Sequence, residues 1–175
     1  KYLKQAASSA DDNTRAAAAA WLTSLHSEGA AKQLLKMSKT ETVSSVQSQI
    51  ATGLAKNRDY TLAAVAKELR RDYNSPAAAT YALALGFMTG NAVDTVRKGL
   101  LSANKNERIN AARAAAYMAG VLSNPDAFAY SSDRTFDIGL LKSLIPQLKV
   151  LVQTGDENVR IYAQNALTQI EKLMN

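Results

Sequence analysis

Few residues of this sequence could do chemistry, and they do not form a catalytic pattern. Ser102 and Lys105 have the Ser-x-x-Lys spacing that some acyl-transfer enzymes use. No companion motif accompanies the pair, and it lies at a turn between repeated units, so we interpret the match as chance. His26 is the only histidine. Because it has neither a cysteine nor a second histidine to act with, we expect it to cap a helix end or to face solvent.

Motifs for metals, phosphates and cofactors are also missing from the sequence. The chain has no cysteine, which excludes disulfides, thiolate nucleophiles and cysteine-based metal sites. It contains no glycine-rich phosphate loop, no paired-histidine motif and no EF-hand loop. The adjacent carboxylates of Asp11 and Asp12 are explained by helix capping. We therefore predict no catalytic residue, no metal site, no cofactor, and a protein that is not an enzyme.

The composition favours α-helix along the whole chain. The sequence is rich in alanine, has only 3 prolines in 175 residues, and contains no β-branched run that alternates with period two. No stretch approaches about eighteen consecutive apolar residues, so we expect no membrane span. A surface rich in Ser, Thr, Asn and Gln indicates a soluble protein and slightly favours an exported one over a cytoplasmic one.

Residues 155–167 show the unit from which the chain is built. Asp156 can cap a helix whose apolar residues recur on one face from Val159 onward. A second amphipathic helix precedes it and ends at Thr154 and Gly155. Two amphipathic helices joined by so short a turn must fold back on each other as a helical hairpin.

The same turn and apolar face recur along the chain. The turns at Asp11 and Asp72 are close copies, the turn at Lys105 is weaker, and the turn at Thr40 is the faintest. Their period of roughly 30 residues indicates a repeat architecture. We therefore predict an all-α fold of about five helical hairpins that forms one domain over residues 1–175.

Local signals predict how several helices begin and end. Thr40 is expected to cap a helix that runs from Glu41, and Asn91 is expected to cap another. Gly90 suits the left-handed C-cap of the helix before it. Trp21 lies on the apolar face of its helix, so we expect it to pack in the core.

Residues 123–137 interrupt the repeat, because they widen the spacing between the last two turns. Asn124 and Pro125 break the preceding helix and the polar middle has no periodicity, which predicts a long loop. A disordered linker would seldom carry so many aromatic residues. We predict contact with a partner protein for Phe128, Tyr130, Asp133, Arg134 and Phe136. The alternative, that the segment folds back and plugs the end of an adjacent hairpin, stays open.

The turns resemble those of the HEAT family, in particular its branch with short repeats of about thirty residues. The resemblance is carried by the Asp-x-x-Val-Arg turn that begins at Asp156, by Asp11 together with Arg15, and by Pro146 in the first helix of the last repeat. It covers essentially the whole chain and implies a right-handed α-α superhelix whose second helices line a concave surface. The structural residues of the repeat turns would be Asp11, Arg15, Asp72, Asp156 and Arg160.

Two turns depart from this family pattern. In the predicted register Lys105 takes the place of the turn Asp, while Pro76 and Ile109 stand where the Arg would be. An unbroken ladder of Asp and Arg along the superhelix is therefore not expected.

These features favour a noncatalytic protein–protein interaction scaffold, an adaptor or a subunit of a larger assembly, with a protein as its partner. The alternative partner is nucleic acid, because HEAT-like DNA glycosylases bind DNA in a basic concave groove and this chain has a formal charge of +6. Arg15, Arg113 and Arg160 could line such a groove, but the basic residues are scattered. A HEAT-like lyase subunit, which attaches bilins to phycobiliproteins, is a further alternative that rests on the repeat resemblance alone.

Overall fold

The computed structural model describes residues 2–124 and 133–174, and all regular structure in these two ranges is helical. The α-helices there are α1 (Tyr2–Ala6), α2 (Asp12–Ser24), α3 (Glu28–Ser38), α4 (Ser44–Lys56), α5 (Arg58–Glu68), α6 (Pro76–Met88), α7 (Val93–Leu100), α8 (Lys105–Ser123), α9 (Arg134–Lys142), α10 (Ile145–Thr154) and α11 (Glu157–Lys172). A short 3-10 helix, Thr89–Ala92, joins α6 to α7.

The helices pair as five hairpins that stack in one direction. The first helices are α1, α3, α5, α7 and α10, and their second helices are α2, α4, α6, α8 and α11. Each second helix packs against the second helix of the next hairpin. Stacking of each unit on its neighbours alone is the architecture of an α-solenoid. The predicted all-α solenoid is therefore confirmed, with α9 as an additional helix before the fifth hairpin.

One continuous hydrophobic core runs through the stack, from Ala7 to Ile170. Small side chains on the second helices let these helices approach closely. At Gly86 of α6, an added Cβ would lie 2.5 Å from the Cβ of Tyr117 on α8. Glycine is required there because any side chain would push α8 away.

Aspartate side chains cap the N-termini of α2 and α11, the second helices of the first and last hairpins. Asp11 accepts a hydrogen bond from the backbone N–H of Thr14 at 2.7 Å, and Asp156 accepts one from the N–H of Val159 at 3.2 Å. The Thr14 hydroxyl and N–H lower the pKa of Asp11, and the Val159 N–H lowers the pKa of Asp156. Both carboxylates are therefore held in the charged form that favours a helix N-terminus.

In three of the five second helices, the side chain four positions after the cap donates to carbonyls of the preceding turn. The Nη1 atom of Arg15 donates to the carbonyls of the two residues before the cap, at 3.0 Å each. Arg108 makes the same two bonds at 2.8 and 2.9 Å. Gln47 makes one of them, at 2.9 Å. Arg160 occupies this position in α11 but is exposed.

The fourth turn lies one residue earlier than the sequence pattern predicted. Asn104, and not Lys105, caps α8 by accepting from the N–H of Glu107 at 3.0 Å. Arg108 therefore occupies the arginine position, and Ile109 is completely buried. The amide oxygen of asparagine caps a helix as well as a carboxylate does. The presence of Asn in place of Asp therefore hid the repeat register in the sequence but did not change the turn.

The start of α4 also differs from the prediction. The helix begins at Ser44 with Val43 as its N-cap, and neither Thr40 nor Glu41 belongs to it. The reason is the carboxylate of Glu41, which turns back to accept from Arg15 and so keeps its own backbone outside the helix.

Asp72 does not cap the helix that follows it. Ser75 caps α6 by accepting from the N–H of Ala78 at 3.3 Å. The Oδ1 atom of Asp72 accepts instead from the N–H of Asn74 at 3.0 Å. Asp72 thus stabilises the turn itself. With Ser75 as the cap, Ala79 and not Pro76 stands at the position that arginine takes in other repeats.

The prediction that Trp21 packs in the core is wrong, because its side chain is 65% exposed. Trp21 lies on α2, which is the second helix of the first hairpin. The corresponding side of each later second helix is covered by the hairpin before it, and α1 does not cover this side of α2.

The end of α6 is built differently from the predicted glycine cap. Thr89, and not Gly90, has the positive φ of 46°. Gly90 is required for a different reason, because a Cβ there would lie 2.0 Å from Oδ1 of Asp137 on α9. Asn91 does not cap α7, which begins at Val93 without a side-chain cap.

Part of the predicted loop over residues 123–137 is helical. Ser123 still belongs to α8, and α9 begins at Arg134. The prediction of a loop is therefore wrong for residues 134–137. Residues 125–132, which include Phe128 and Tyr130, lie outside the described ranges.

Candidate functional site

The candidate site is a groove along α8 between α6 and α11, which we call the α8 groove. Two adjoining concavities form it, and they share the residues Ala116, Tyr117 and Asn165. The side chains that line it come from three consecutive hairpins, and they are aromatic, amide or apolar apart from one arginine: Tyr73, Pro76, Ala79, Leu83, Arg113, Ala116, Tyr117, Gly120, Tyr162, Asn165 and Gln169.

Arg113 is held in the centre of an aromatic pair. Its Nη1 atom donates to the carbonyl of Tyr73 at 3.1 Å, and its Nη2 atom donates to the hydroxyl of Tyr162 at 2.8 Å. The guanidinium carbon lies 4.9 Å from the centre of the Tyr162 ring, a cation–π distance. The rings of Tyr73 and Tyr162 meet edge to face, with centroids 6.0 Å apart. These contacts fix the orientation of the guanidinium.

The charge of Arg113 is not neutralised by the groove. Neither concavity is lined by an aspartate or a glutamate, and no carboxylate of the described residues forms an ion pair with Arg113. A guanidinium has five N–H donors, and two of its nitrogens already bond to protein oxygens. The remaining N–H groups can donate to an oxygen that a bound molecule supplies.

A separate concavity, near the first turn, carries charges that are already paired with each other. It is lined by Arg15 and Glu41, whose side chains join at 2.7 Å from Nε to Oε2 and are 17% and 3% exposed. The carboxylate also accepts from the backbone N–H groups of Thr42 and Val43. The Arg15 side chain lowers the pKa of Glu41. We interpret this pair as a structural ion pair that links the first two hairpins.

The described members of the predicted contact segment lie beside the end of α8. Asp133 caps α9 by accepting from the N–H of Phe136 at 2.9 Å. Arg134 Nε donates to the carbonyl of Leu122 at 2.7 Å. Phe136 is 61% exposed. Asn124, at the end of α8, lines the α8 groove, so the predicted segment leaves α8 at the end of this groove.

The three arginines predicted to line a nucleic-acid groove do not come together. Arg113 lies in the α8 groove, whereas Arg15 is paired with Glu41 at the other end of the stack. Arg160 precedes Tyr162 by two residues on α11, a rotation of about 200°, so it points away from the groove. The arginines therefore do not form one basic surface.

Sequence reasoning missed the tyrosines of the α8 groove because no local motif joins them. Tyr73 lies before α6, Tyr117 near the end of α8, and Tyr162 in α11. They also stand at different positions relative to the caps Ser75, Asn104 and Asp156, so the repeat pattern does not align them.

The described residues contain no group of three or more His, Cys, Asp or Glu side chains that could hold a metal ion. Within the same ranges, no helix is both long enough and apolar enough to cross a bilayer.

No protein-family model matches the sequence, and neither does any curated protein. Among solved structures, the designed armadillo repeat protein YIII(Dq)4CqI is similar to this chain at 18% identity, over 97% of this chain and 98% of that chain, with a TM-score of 0.35. An engineered protein of the Northeast Structural Genomics Consortium is similar at 19% identity, over 98% of both chains, with a TM-score of 0.34. Similarity at these scores carries no argument about function.

Proposed function

We propose that this protein is a noncatalytic HEAT-like scaffold that binds a segment of a partner protein in the α8 groove. The observation that carries the proposal is Arg113, an oriented cation that has no carboxylate partner among the described residues and lies in a groove of tyrosines and amides. Tyrosine and arginine are the residues that most often contribute strongly to protein–protein binding. The amides of Asn165, which is exposed, and Gln169, which is half-buried, can bond to the backbone of an extended segment.

The chemistry of the groove indicates what the partner segment carries. A carboxylate would accept hydrogen bonds from the free N–H groups of Arg113, and charge-assisted bonds of this kind are stronger than neutral ones. Tyr73, Tyr117 and Tyr162 offer surfaces on which an apolar or aromatic side chain can pack. We therefore expect an acidic residue next to an aromatic or aliphatic one.

The predicted contact segment is part of the same proposal. Phe128, Tyr130, Asp133, Arg134 and Phe136 would extend the contact beyond the end of α8. The exposed ring of Phe136 supports this role. Substitution of Phe136 by Ala should then weaken partner binding without loss of helicity.

Selection from a random peptide library tests the proposal. The wild-type protein should enrich peptides with a carboxylate beside an apolar side chain, and Arg113→Gln should bind the selected peptides at least 10-fold more weakly. Arg160→Gln is the matched control, because it removes an arginine on another side of α11, and it should bind like the wild type.

Two outcomes would overturn the proposal. One is equal binding of the selected peptides by Arg113→Gln and the wild type. The other is selection of nothing by the wild type, together with binding to duplex DNA whose affinity falls steeply with salt. The second result would favour a nucleic-acid partner, which the single cation of the groove does not support.

A further inference from the structure

The two concavities of the α8 groove differ in charge. Arg113 lines the first of them and is the only charged side chain among the described residues that line either one. Besides Tyr117, the second concavity is lined by three amide residues and by the aliphatic or small residues Leu83, Ala116, Gly120 and Val121. We call these last four the Gly120 pocket. The groove therefore offers a cationic position at one end and an apolar position at the other.

Gly120 is not required by the fold of this chain. Its φ is not positive, and a Cβ at this position would meet no atom within 4 Å. Gly86 differs, because a Cβ there would lie 2.5 Å from Cβ of Tyr117. Alanine would therefore fit at position 120 and would favour the helix. The effect of the glycine is to leave space in the groove, so that a bound molecule can approach the backbone of α8.

Two other glycines show that such free space alone does not make a site. Gly29 in α3 and Gly139 in α9 are exposed, and a Cβ at either position would meet no atom within 4 Å. Neither of them lines the α8 groove. Gly120 differs from both because it lies on the same face of α8 as the oriented guanidinium of Arg113.

The helix fixes the distance between the cationic and the apolar position. Gly120 is seven residues after Arg113, which is about two turns and about 10 Å along α8. A segment that contacts both positions must place two side chains on one side of its backbone at this spacing. In a β-strand, side chains on one side are about 7 or about 13 Å apart. In a polyproline II segment they recur every three residues, about 9 Å apart, which is the better match.

A helical segment would match the same distance with side chains seven residues apart. The amides of Asn165 and Gln169, which line the second concavity, favour the extended segment instead. The backbone N–H and C=O groups of a helix are already bonded to each other, whereas those of a polyproline II segment have no internal partner. The extended segment can therefore accept hydrogen bonds from these amides and donate to them.

We propose that the α8 groove binds a polyproline II segment of the partner protein that carries a carboxylate for Arg113 and, three positions away, an aliphatic side chain for the Gly120 pocket. This inference rests on the proposed function of the groove and adds the spacing of the two recognised side chains. The carboxylate complements a cation that has no carboxylate partner among the described residues. The aliphatic side chain would bury its own apolar surface and that of the half-buried Leu83. Gly120 is then a specificity-determining residue.

Peptides selected by the wild-type protein test the spacing. A carboxylate and an aliphatic residue should recur three positions apart in them. Replacement of that aliphatic residue by Ala should weaken binding about 10-fold, because burial of an aliphatic side chain contributes at least one such step of affinity. A shift of the aliphatic residue by one position along the peptide should weaken binding to a similar extent.

Substitutions at Gly120 test the pocket from the side of the protein. Gly120→Leu should fill the pocket and weaken binding of the selected peptides about 10-fold, with unchanged helicity. Gly120→Ala should weaken binding less and should unfold at a higher urea concentration than the wild type, so that lost stability cannot explain the lost affinity. With Gly120→Leu, the Ala-substituted peptide should bind no more weakly than its parent, because both changes remove the same contact. Gly29→Ala is the matched control and should bind like the wild type.

The results separate this inference from the proposed function. Equal binding of the selected peptides by Gly120→Leu and the wild type, with weaker binding by Arg113→Gln, would overturn the inference and leave the proposed function in place. Selected peptides whose acidic and aliphatic residues stand seven positions apart would overturn it in favour of a helical segment. A wild type that selects no peptide would overturn both.

Discussion

At the scale of single residues, the carboxylate of Glu41 accepts four hydrogen bonds. It accepts from Arg15 at 2.7 and 3.1 Å and from the N–H groups of Thr42 and Val43 at 3.0 and 2.9 Å. All of these bonds favour the ionised form. The Arg15 hydrogen bond is the main cause of the lowered pKa of Glu41, from an ordinary value of 4.5.

Acid should therefore destabilise the protein through this residue. A carboxyl group whose pKa is lower in the folded state than in the unfolded state stabilises the folded protein. This stabilisation is complete above pH 4.5 and is lost as the pH falls through the folded-state pKa. In Glu41→Gln, the free energy of unfolding should be lower at pH 7 and should fall less between pH 5 and 3, measured by urea titration at each pH.

Glu28→Gln is the control for this prediction. Glu28 pairs with Lys32 on the surface, and both side chains are mostly exposed, at 66% and 72%. Exposed pairs of this kind contribute little, so the variant should keep the stability and acid dependence of the wild type. If Glu41→Gln retained the full acid dependence as well, other carboxylates would have to carry it.

Tyr81 offers a test at the alkaline end. It is fully buried, its hydroxyl is bonded to Ser38, and burial raises its pKa above the ordinary value of 10.0. The stability that this group contributes is complete below pH 10 and is lost as the pH rises through the folded pKa. Tyr81→Phe should cost about 1 kcal/mol at pH 7 and should remove part of this alkaline loss in thermal unfolding scans.

At the scale of helices, the contact between α6 and α8 depends on the absence of one side chain. Gly86→Ala would place a Cβ 2.5 Å from Cβ of Tyr117 and 3.2 Å from its carbonyl carbon. Because backbone cannot yield as a flexible side chain does, we expect overpacking to cost about 1–3 kcal/mol in chemical unfolding. The shift of Tyr117 should also weaken peptide binding in the α8 groove.

Gly120→Ala is the matched control within the same contact region. Gly120 lies in α8, and a Cβ there would meet no atom within 4 Å. Alanine should raise stability by about 0.5–1 kcal/mol, because glycine is unfavourable inside a helix. Equal destabilisation by both substitutions would contradict the steric explanation at Gly86.

The sequence was informative about helices wherever a residue acts on its own backbone. Asp156 and Asp11 start their helices as predicted, because a cap needs only the next three residues. The misplaced features depend on distant partners. Glu41 leaves its helix to reach Arg15, and Gly90 is small because of Asp137, forty-seven residues away in the chain. Neither contact leaves a local pattern.

Burial and the candidate site were harder to predict for the same reason. The apolar periodicity placed Trp21 on the correct side of its helix, but periodicity cannot show whether a neighbour covers that side. The α8 groove combines Tyr73, Arg113 and Tyr162, which come from three hairpins. The packing of α6, α8 and α11 brings them together. The predicted turns were displaced by three residues at Thr40 and Asp72 and by one at Lys105.

At the scale of the whole molecule, a solenoid distributes its stability along the stack. Each hairpin contacts only its neighbours, so the units at the centre are supported on two sides and those at the ends on one. α6 belongs to the middle hairpin and α8 to the next one, and each buries many residues, whereas α1 has no buried residue. Local opening should therefore be easiest at α1 and most costly at α6 and α8.

Native-state hydrogen exchange should show this gradient. We expect the slowest amide exchange in α6 and α8, intermediate rates in α4 and α11, and almost no protection in α1. Gly86→Ala should accelerate exchange in α6 and α8 and leave α2 nearly unchanged, because hairpins that do not touch the substitution feel it only through their neighbours. Equal protection of all second helices, lowered equally by Gly86→Ala, would contradict this expectation and indicate that the five hairpins unfold together.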